Sequence, residues 1–284
     1  MAEPAPDYRA LSLSRTDGVL TVTIDHPPMN LLDAELMGDL DRLGRVLETD
    51  PEVRVVVFRS ANPDYFIAHA DVRLIQRLPS EAPPRSAELS FFHQLVERFR
   101  TLPCATIGVI EGRARGGGSE FLLSLDMRFG AIDRCVVGQP EVALGILPGG
   151  SGTQRLARAM GRGRALEAIL GCADFDAETA ERYGWIDRAL PADALGPFVD
   201  ALAARIASFP RQAVALAKRA VDAAEGPLRE GLLEEAHLFN QLVALPEARR
   251  RMVAFLDSGG QDPDAERDLE ALLARLPQIG GDGA

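Results

Sequence analysis

Cysteine, lysine and long apolar runs are scarce in this chain. Its 284 residues include three cysteines, Cys104, Cys135 and Cys172. Odd in number and widely spaced, they argue against a disulfide frame or a zinc site and read as small buried hydrophobes of a reducing cytoplasm. No apolar run approaches the ~20 residues that a membrane span requires. The opening residues MAEPAPDYRA have neither a basic start nor an apolar stretch, so no signal peptide is expected. Positive charge is short as well. There are 31 Lys and Arg against 42 Asp and Glu, a net charge of −11. That balance excludes a general nucleic-acid binder, since phosphate contacts need clustered Lys and Arg. A small anionic ligand would need a local basic patch. Lys218 is the one lysine, which reads as coding bias without functional content.

What remains is an ordinary globular composition, 46% hydrophobic and 26% charged, long enough for a large core. After a Pro-containing start, Tyr8 to Arg15 and Val19 to Asp25 alternate apolar and polar residues across the turn Thr16-Asp17-Gly18, which predicts a hairpin. Pro27-Pro28 stops the second strand, and Asp33 suits the N-cap of a helix whose apolar face carries Leu36, Met37, Leu40, Leu43, Val46 and Leu47. Val53 to Arg59 is too apolar for a half-exposed strand and predicts one buried on both faces. The alternation continues with a helix from Ser86 to Arg100, a strand from Cys104 to Ile110, a glycine-led helix to Asp126 and a strand from Met127 to Ile132. Repeated strand-and-helix units predict an α/β core. From Gly150 the pattern is nearly all helical, and Leu228, Leu232, Leu233, Ala236, Phe239, Leu242 and Val243 form one stripe. The expected division is an α/β core over 1–195 and a helical region over 196–284, ending in a Gly-rich tail.

Chemistry is expected where composition turns unusual. Gly116-Gly117-Gly118 stand just before a helix, where bare backbone admits a ligand closely and free N–H groups suit a developing oxyanion. Glu120 falls in the first turn of that helix, where the dipole alone would favour a carboxylate. A second stretch, from Gly138-Gln139-Pro140-Glu141 to Gly152-Thr153-Gln154-Arg155, is rich in Gly and Pro yet apolar. Glu120 and Glu141, each beside a bent apolar segment, could form an acid/base pair. Gly145 to Gln154 is not a P-loop, because no Lys stands beside the last glycine. Nor does any strand lead into a dinucleotide fingerprint.

Four segments together carry a resemblance. They are Asp25-His26-Pro27-Pro28-Met29-Asn30-Leu31-Leu32, Phe66-Ile67-Ala68-His69-Ala70-Asp71-Val72, Gly116-Gly117-Gly118-Ser119-Glu120, and the stretch from Gly138 to Arg155. Over roughly residues 10 to 260 the chain resembles the enoyl-CoA hydratase/isomerase, or crotonase, superfamily. The resemblance implies a spiral of ββα units with a C-terminal helical region that drives a homotrimer or a dimer of trimers. It implies an acyl-CoA thioester as substrate, coenzyme A being its handle, with no separate cofactor or metal. It places oxyanion donors at the N–H groups of Ala70 and Gly117, and water activation and protonation at Glu120 and Glu141. Ala68, His69, Asp71, Val72, Arg73, Gly116 and Arg115 would line the substrate, the backbone from Ala70 to Arg73 facing its pantetheine and adenine end.

Three positions depart from the pattern that the resemblance implies. His69 stands where glycine is usual, either adding a hydrogen-bonding group beside the acyl pocket or resting at its rim. A loop that needs positive φ there would be reshaped by it. Arg115 replaces a small residue and either holds Glu120 or Glu141 ionised or turns outward to another acid. The usual basic C-terminal segment is acidic here, from Ala254 to Asp262, which leaves Arg73 and Arg113 as candidates for the coenzyme phosphates. The expectation is a cytoplasmic hydratase of a 2-enoyl-CoA. A double-bond isomerase or another lyase of this fold, or a catalytically idle acyl-CoA-binding subunit, are the alternatives.

Overall fold

The computed structural model describes residues 8–77 and 88–224 and a few positions from 226 to 259. Its contacts group into two compact units, 1–204 and 205–284. The first begins with the expected hairpin, β1 (Leu11–Thr16) and β2 (Val19–Ile24), paired antiparallel with Thr16 opposite Val19. Asp33 caps α1 (Ala34–Thr49) as predicted, one carboxylate oxygen accepting from the N–H groups of Glu35 and Leu36 at 3.0 Å each.

A repeating unit then takes over. β3 (Val55–Ser60) and β4 (Tyr65–Ile67) lead to α2 (Val72–Ile75) and α3 (Phe91–Thr101). β5 (Ala105–Ile110) and β6 (Arg113–Arg115) lead to α4 (Gly117–Leu123). β7 (Met127–Ala131) and β8 (Val136–Gly138) lead to a 3-10 turn at Glu141–Leu144, then α5 (Gly152–Met160) and α6 (Arg162–Gly171). β9 (Asp174–Asp176), α7 (Ala177–Tyr183), β10 (Arg188–Leu190) and α8 (Ala192–Ala207) follow, and α9 (Arg211–Ala223) lies in the second unit.

Each repeat adds one strand to each of two sheets. The larger runs β1-β2-β3-β5-β7-β10, parallel from β2 onward, and the smaller runs β4-β6-β8-β9, parallel from β4 to β8. This is the expected mixed α/β spiral of ββα units. β5 is buried along its whole length and β3 over its first four residues, as their unbroken apolar runs foretell. Between the sheets and helices, Phe58, Phe99 and Phe121 meet edge to face at 5.2–5.4 Å and anchor β3, α3 and α4 to one core.

Two expectations are corrected. The third helix begins at Phe91, not Ser86, because Ser90 caps it, its hydroxyl accepting from the His93 N–H at 3.3 Å. The chain after Gly150, expected to be nearly all helical, also carries two three-residue strands, β9 and β10, which extend the two sheets. The apolar stripe from Leu228 to Val243 and the Gly-rich tail lie outside the described residues. Among the described residues no helix is long and apolar enough to cross a membrane.

Candidate functional site

The predicted site residues leave the smaller sheet just past the C-terminal ends of three neighbouring parallel strands. Ala70 follows β4, Gly117 and Glu120 follow β6, and Glu141 follows β8. Gly116 is where they meet. Its φ of 49° with ψ of −125° is a conformation open to glycine. A Cβ there would stand 2.7 Å from Oε1 of Glu141 and 3.7 Å from Cβ of His69. The turn therefore needs glycine twice over, for its backbone and for the room it gives the carboxyl group.

Gly117 opens α4 directly against the β4 exit. A Cβ on it would lie 3.2 Å from Cβ of Ala70 and 3.5 Å from the Ala70 nitrogen. The two amides expected to bind an oxyanion are thus neighbours. Among the described residues, neither N–H has an acceptor. The Ala70 stretch is held by its flanks, with Leu32 N–H donating to the His69 carbonyl at 3.0 Å and Asp71 N–H donating to the Leu32 carbonyl at 3.1 Å.

Glu120 is buried on α4. Its Oε1 accepts from the N–H groups of Gly150 and Gly152, at 2.7 and 2.8 Å. Between them Ser151 has φ of 112°, a region costing a non-glycine residue about 1–3 kcal/mol. Two N–H groups converging on one carboxylate oxygen hold that bend, and Arg155 Nε donates to Ser151 Oγ at 2.9 Å. Burial raises the Glu120 pKa. The two N–H donors and the charge of Arg155 oppose it by favouring the ionised form.

Glu141 has a different setting. It starts the 3-10 turn, and burial pushes its pKa from 4.5 up to about 7. Its own backbone N–H opposes that rise and the charge of Glu120 adds to it. With the Gln139 amide nitrogen turned toward it, both carboxyl oxygens accept from Gln139 at 3.1 and 3.0 Å. Burial thus raises the pKa of both carboxyl groups, opposed at Glu120 by two backbone donors and the charge of Arg155 and augmented at Glu141 by the charge of Glu120.

The remaining predicted residues divide. Ala68 is buried and its carbonyl accepts from the Arg115 N–H at 3.3 Å, tying β4 to β6. His69 is not among the positive-φ residues, so its backbone does not need glycine. Its ring nitrogen Nδ1 lies 2.8 Å from the Ala70 carbonyl, to which it donates. Asp71 caps α2 by accepting from the Arg73 N–H at 2.9 Å, which sets Val72 and Arg73 in the first turn. Arg115 holds neither glutamate. Its Nε donates to Asp174 Oδ1 at 2.6 Å and its Nη2 to Oδ2, so the outward reading is correct. Arg113 lies over the Tyr65 ring, 5.9 Å from its centroid. Sequence reasoning gave no role to Gln139, Gly150, Gly152 or Arg155, although all four stand in the quoted stretch. The signal was a conspicuous glycine pair, whose N–H direction only the fold reveals.

The Glu141 setting has a consequence for stability. A carboxyl group whose folded pKa is raised adds stability that is complete below 4.5 and is lost as pH climbs toward about 7. Glu141→Gln, which cannot ionise, is expected to gain melting temperature relative to the parent between about pH 5 and about pH 8.5. A difference in melting temperature that stays constant across that interval would refute the buried setting that raises Glu141.

The model of the enoyl-CoA hydratase/isomerase family matches residues 14–262. A "Probable enoyl-CoA hydratase" of Mycobacterium leprae is 33% identical over 238 residues, spanning 83% of this chain and 90% of that protein. A solved structure from Streptomyces avermitilis is 42% identical, covering 94% of this chain and 98% of its own, with a TM-score of 0.71. The enoyl-CoA hydratase of Bacillus anthracis is 28% identical over 88% of this chain and 96% of its own, with a TM-score of 0.80.

Proposed function

The chain belongs to the enoyl-CoA hydratase/isomerase family, and on that footing we propose that it adds water across the double bond of a 2-enoyl-CoA thioester, giving a 3-hydroxyacyl-CoA. The observation that carries the reading is the convergence of two neighbouring N–H groups without acceptors, Ala70 and Gly117, with two carboxyl groups in unlike settings.

In this reading the thioester oxygen lies between the two N–H groups. They stabilise the negative charge that reaches it as oxygen adds to the β-carbon. Fixed by backbone, these donors need no reorganisation as charge develops. Glu120, ionised, takes a proton from the attacking water while that water's oxygen bonds to the β-carbon. The π electrons pass through the α-carbon to the carbonyl as an enolate. Glu141, protonated, delivers its proton to the α-carbon, and the C=O bond re-forms. The pair ends with its proton moved from Glu141 to Glu120, and exchange with solvent restores the starting state. Coenzyme A is the handle of the substrate, and the chemistry runs on carboxyl groups and backbone donors.

The pair favours hydration over isomerisation, because moving a double bond needs one group to carry a proton between two carbons. Hydration needs a base for water and an acid for carbon. A panel of 2-enoyl-CoA thioesters decides between them. The expected result is loss of the conjugated enoyl chromophore with a product heavier by one water. A product of unchanged mass would overturn the reading in favour of isomerisation, and no turnover of any thioester would favour an idle subunit.

A further inference from the structure

A strained turn beside Glu120 is gripped from outside the site, and the proposed mechanism gives that grip no part. Ser151 stands at φ of 112° and ψ of −8° between the two glycines whose N–H groups meet Oε1 of Glu120. Arg155 takes hold of it at two points. Its backbone N–H donates to the Ser151 carbonyl and its Nε to the Ser151 hydroxyl, each at 2.9 Å. The same guanidinium donates through Nη2 to Oε1 of Glu97 on α3. Glu97 Oε2 in turn accepts from Nε of Arg100 at 3.2 Å. From these contacts we infer that Arg155 and Ser151 are positioning residues that aim the Glu120 carboxyl group at the reacting water, an inference resting on the acid/base reading above.

The strain points to a use. Positive φ is costly for serine and cheap for glycine, yet serine stands here with a glycine on either side. What serine adds is a hydroxyl oxygen within reach of Arg155. A guanidinium N–H can only donate, so that oxygen is the acceptor wherever its own proton turns. The guanidinium is also planar, with its N–H groups in fixed directions, so anchoring Nη2 on α3 sets where Nε points. The turn is thereby pinned between α3 and the first turn of α5. Its two N–H groups both go to Oε1 of Glu120, and among the described residues no donor reaches Oε2. One oxygen is held by backbone, and the other is left for the proton of the water.

The consequence falls on the aim of Glu120 and on its proton together. Two short bonds from N–H groups favour the ionised form, and slackening the turn weakens both. The charge of Arg155 acts in the same sense. The charged and titratable groups that bear on Glu120 are Arg155 from α5 and Glu141 from the turn after β8. Glu97 and Arg100 of α3 stand behind Arg155, and His69 lies across Gly116 from Glu141. Phe92 of α3 and Gln139, which crowd the Glu120 carboxyl group at Gly150 and Gly152, do not titrate.

The test is the pH dependence of kcat on a 2-enoyl-CoA. Activity needs Glu120 ionised, so the acidic limb follows its proton. Ser151→Ala keeps the same backbone demand and removes the handle, while Arg155→Gln removes handle grip and charge together. Each is expected to lower kcat by roughly 3–10-fold, the worth of one hydrogen bond. Each should also move the acidic midpoint upward, by roughly 0.5 pH unit in Ser151→Ala and further in Arg155→Gln. Arg155→Lys, which keeps the charge without the fork, is expected to lose turnover as well. With Glu120→Gln already in place, Ser151→Ala should add no further loss. A midpoint is independent of how much protein has folded, so a purely structural role would lower yield or melting temperature and leave it where it was. If Arg155→Gln fails to fold, Ser151→Ala alone decides. An unmoved acidic midpoint in Ser151→Ala, parent-like turnover in Arg155→Lys, or an equal loss in the Glu120→Gln background overturns the inference. Full activity in Glu120→Gln would overturn the acid/base reading and this inference with it. Lost activity in Glu120→Gln beside an unmoved Ser151→Ala midpoint would overturn this inference alone.

Discussion

Glu120→Gln and Glu141→Gln are each expected to lower turnover of a 2-enoyl-CoA by ~10²–10⁴-fold, the usual worth of a general acid or base. The two losses should not multiply in the double variant, because groups that act as a unit are not additive. Glutamine keeps the volume of each side chain, so fold and melting behaviour near pH 5 should persist and the effect should sit in kcat. The variants also differ in an informative way. Glu120 raises the Glu141 pKa by its charge. In Glu120→Gln the residual activity should therefore lose its alkaline limb at lower pH than the parent does. Steady-state rates and product mass across the pH range measure all of this. One variant silent and the other dead would mean that a single carboxyl group carries the proton, and two silent variants would refute the mechanism.

The largest effect on stability is expected from Gly118→Ala. A Cβ at this position would stand 2.4 Å from the Ile67 carbonyl oxygen, 2.8 Å from its Cβ and 2.9 Å from its Cγ2. None of these can give way cheaply. The carbonyl belongs to β4, and a β-branched side chain has little χ1 freedom. Overpacking of this kind typically costs 1–3 kcal/mol, and a backbone neighbour puts the change at about 3 kcal/mol. That corresponds to a fall in melting temperature of roughly 6–12 °C for a chain of this size. Whatever folds should also turn over poorly, because pushing α4 from β4 separates the Ala70 and Gly117 amides. Thermal melts with parallel kinetics test both, and a parent-like melting temperature would show that the contact relaxes without cost.

Long, strongly patterned elements were legible before any coordinates. The hairpin, the capped helix after Asp33 and the buried runs of β3 and β5 stand where periodicity and turn chemistry put them. The whole smaller sheet was not legible. β4, β6, β8 and β9 have three residues each, too few for an alternation to show. Their pairing comes from tertiary position, which a local pattern does not encode. The site divides along the same line. Glu120, Glu141 and the glycines beside them were visible as an odd composition, and the family resemblance gave them roles. The strained Ser151 between two N–H donors was invisible, because nothing in Gly150-Ser151-Gly152 tells which way its amides point. Arg115 shows the converse. Adjacency in sequence suggested a partner for a glutamate, while strand pairing places it beside Asp174, an acid 59 positions away.

The smaller sheet also bears on how such an enzyme can change. Its three parallel strands lie side by side at the usual spacing of about 4.8 Å, and each delivers a different chemical instrument from its end. In the proposed mechanism one brings an oxyanion donor at Ala70, the next a second donor and a base at Gly117 and Glu120, the third an acid at Glu141. The instruments share a rack but not a loop. A substitution or insertion past one strand can retire or replace a single instrument while the ladder keeps its neighbours in register. Chemistry laid out this way varies one slot at a time, and the enolate-binding slot can stay constant while acids and bases come and go around it.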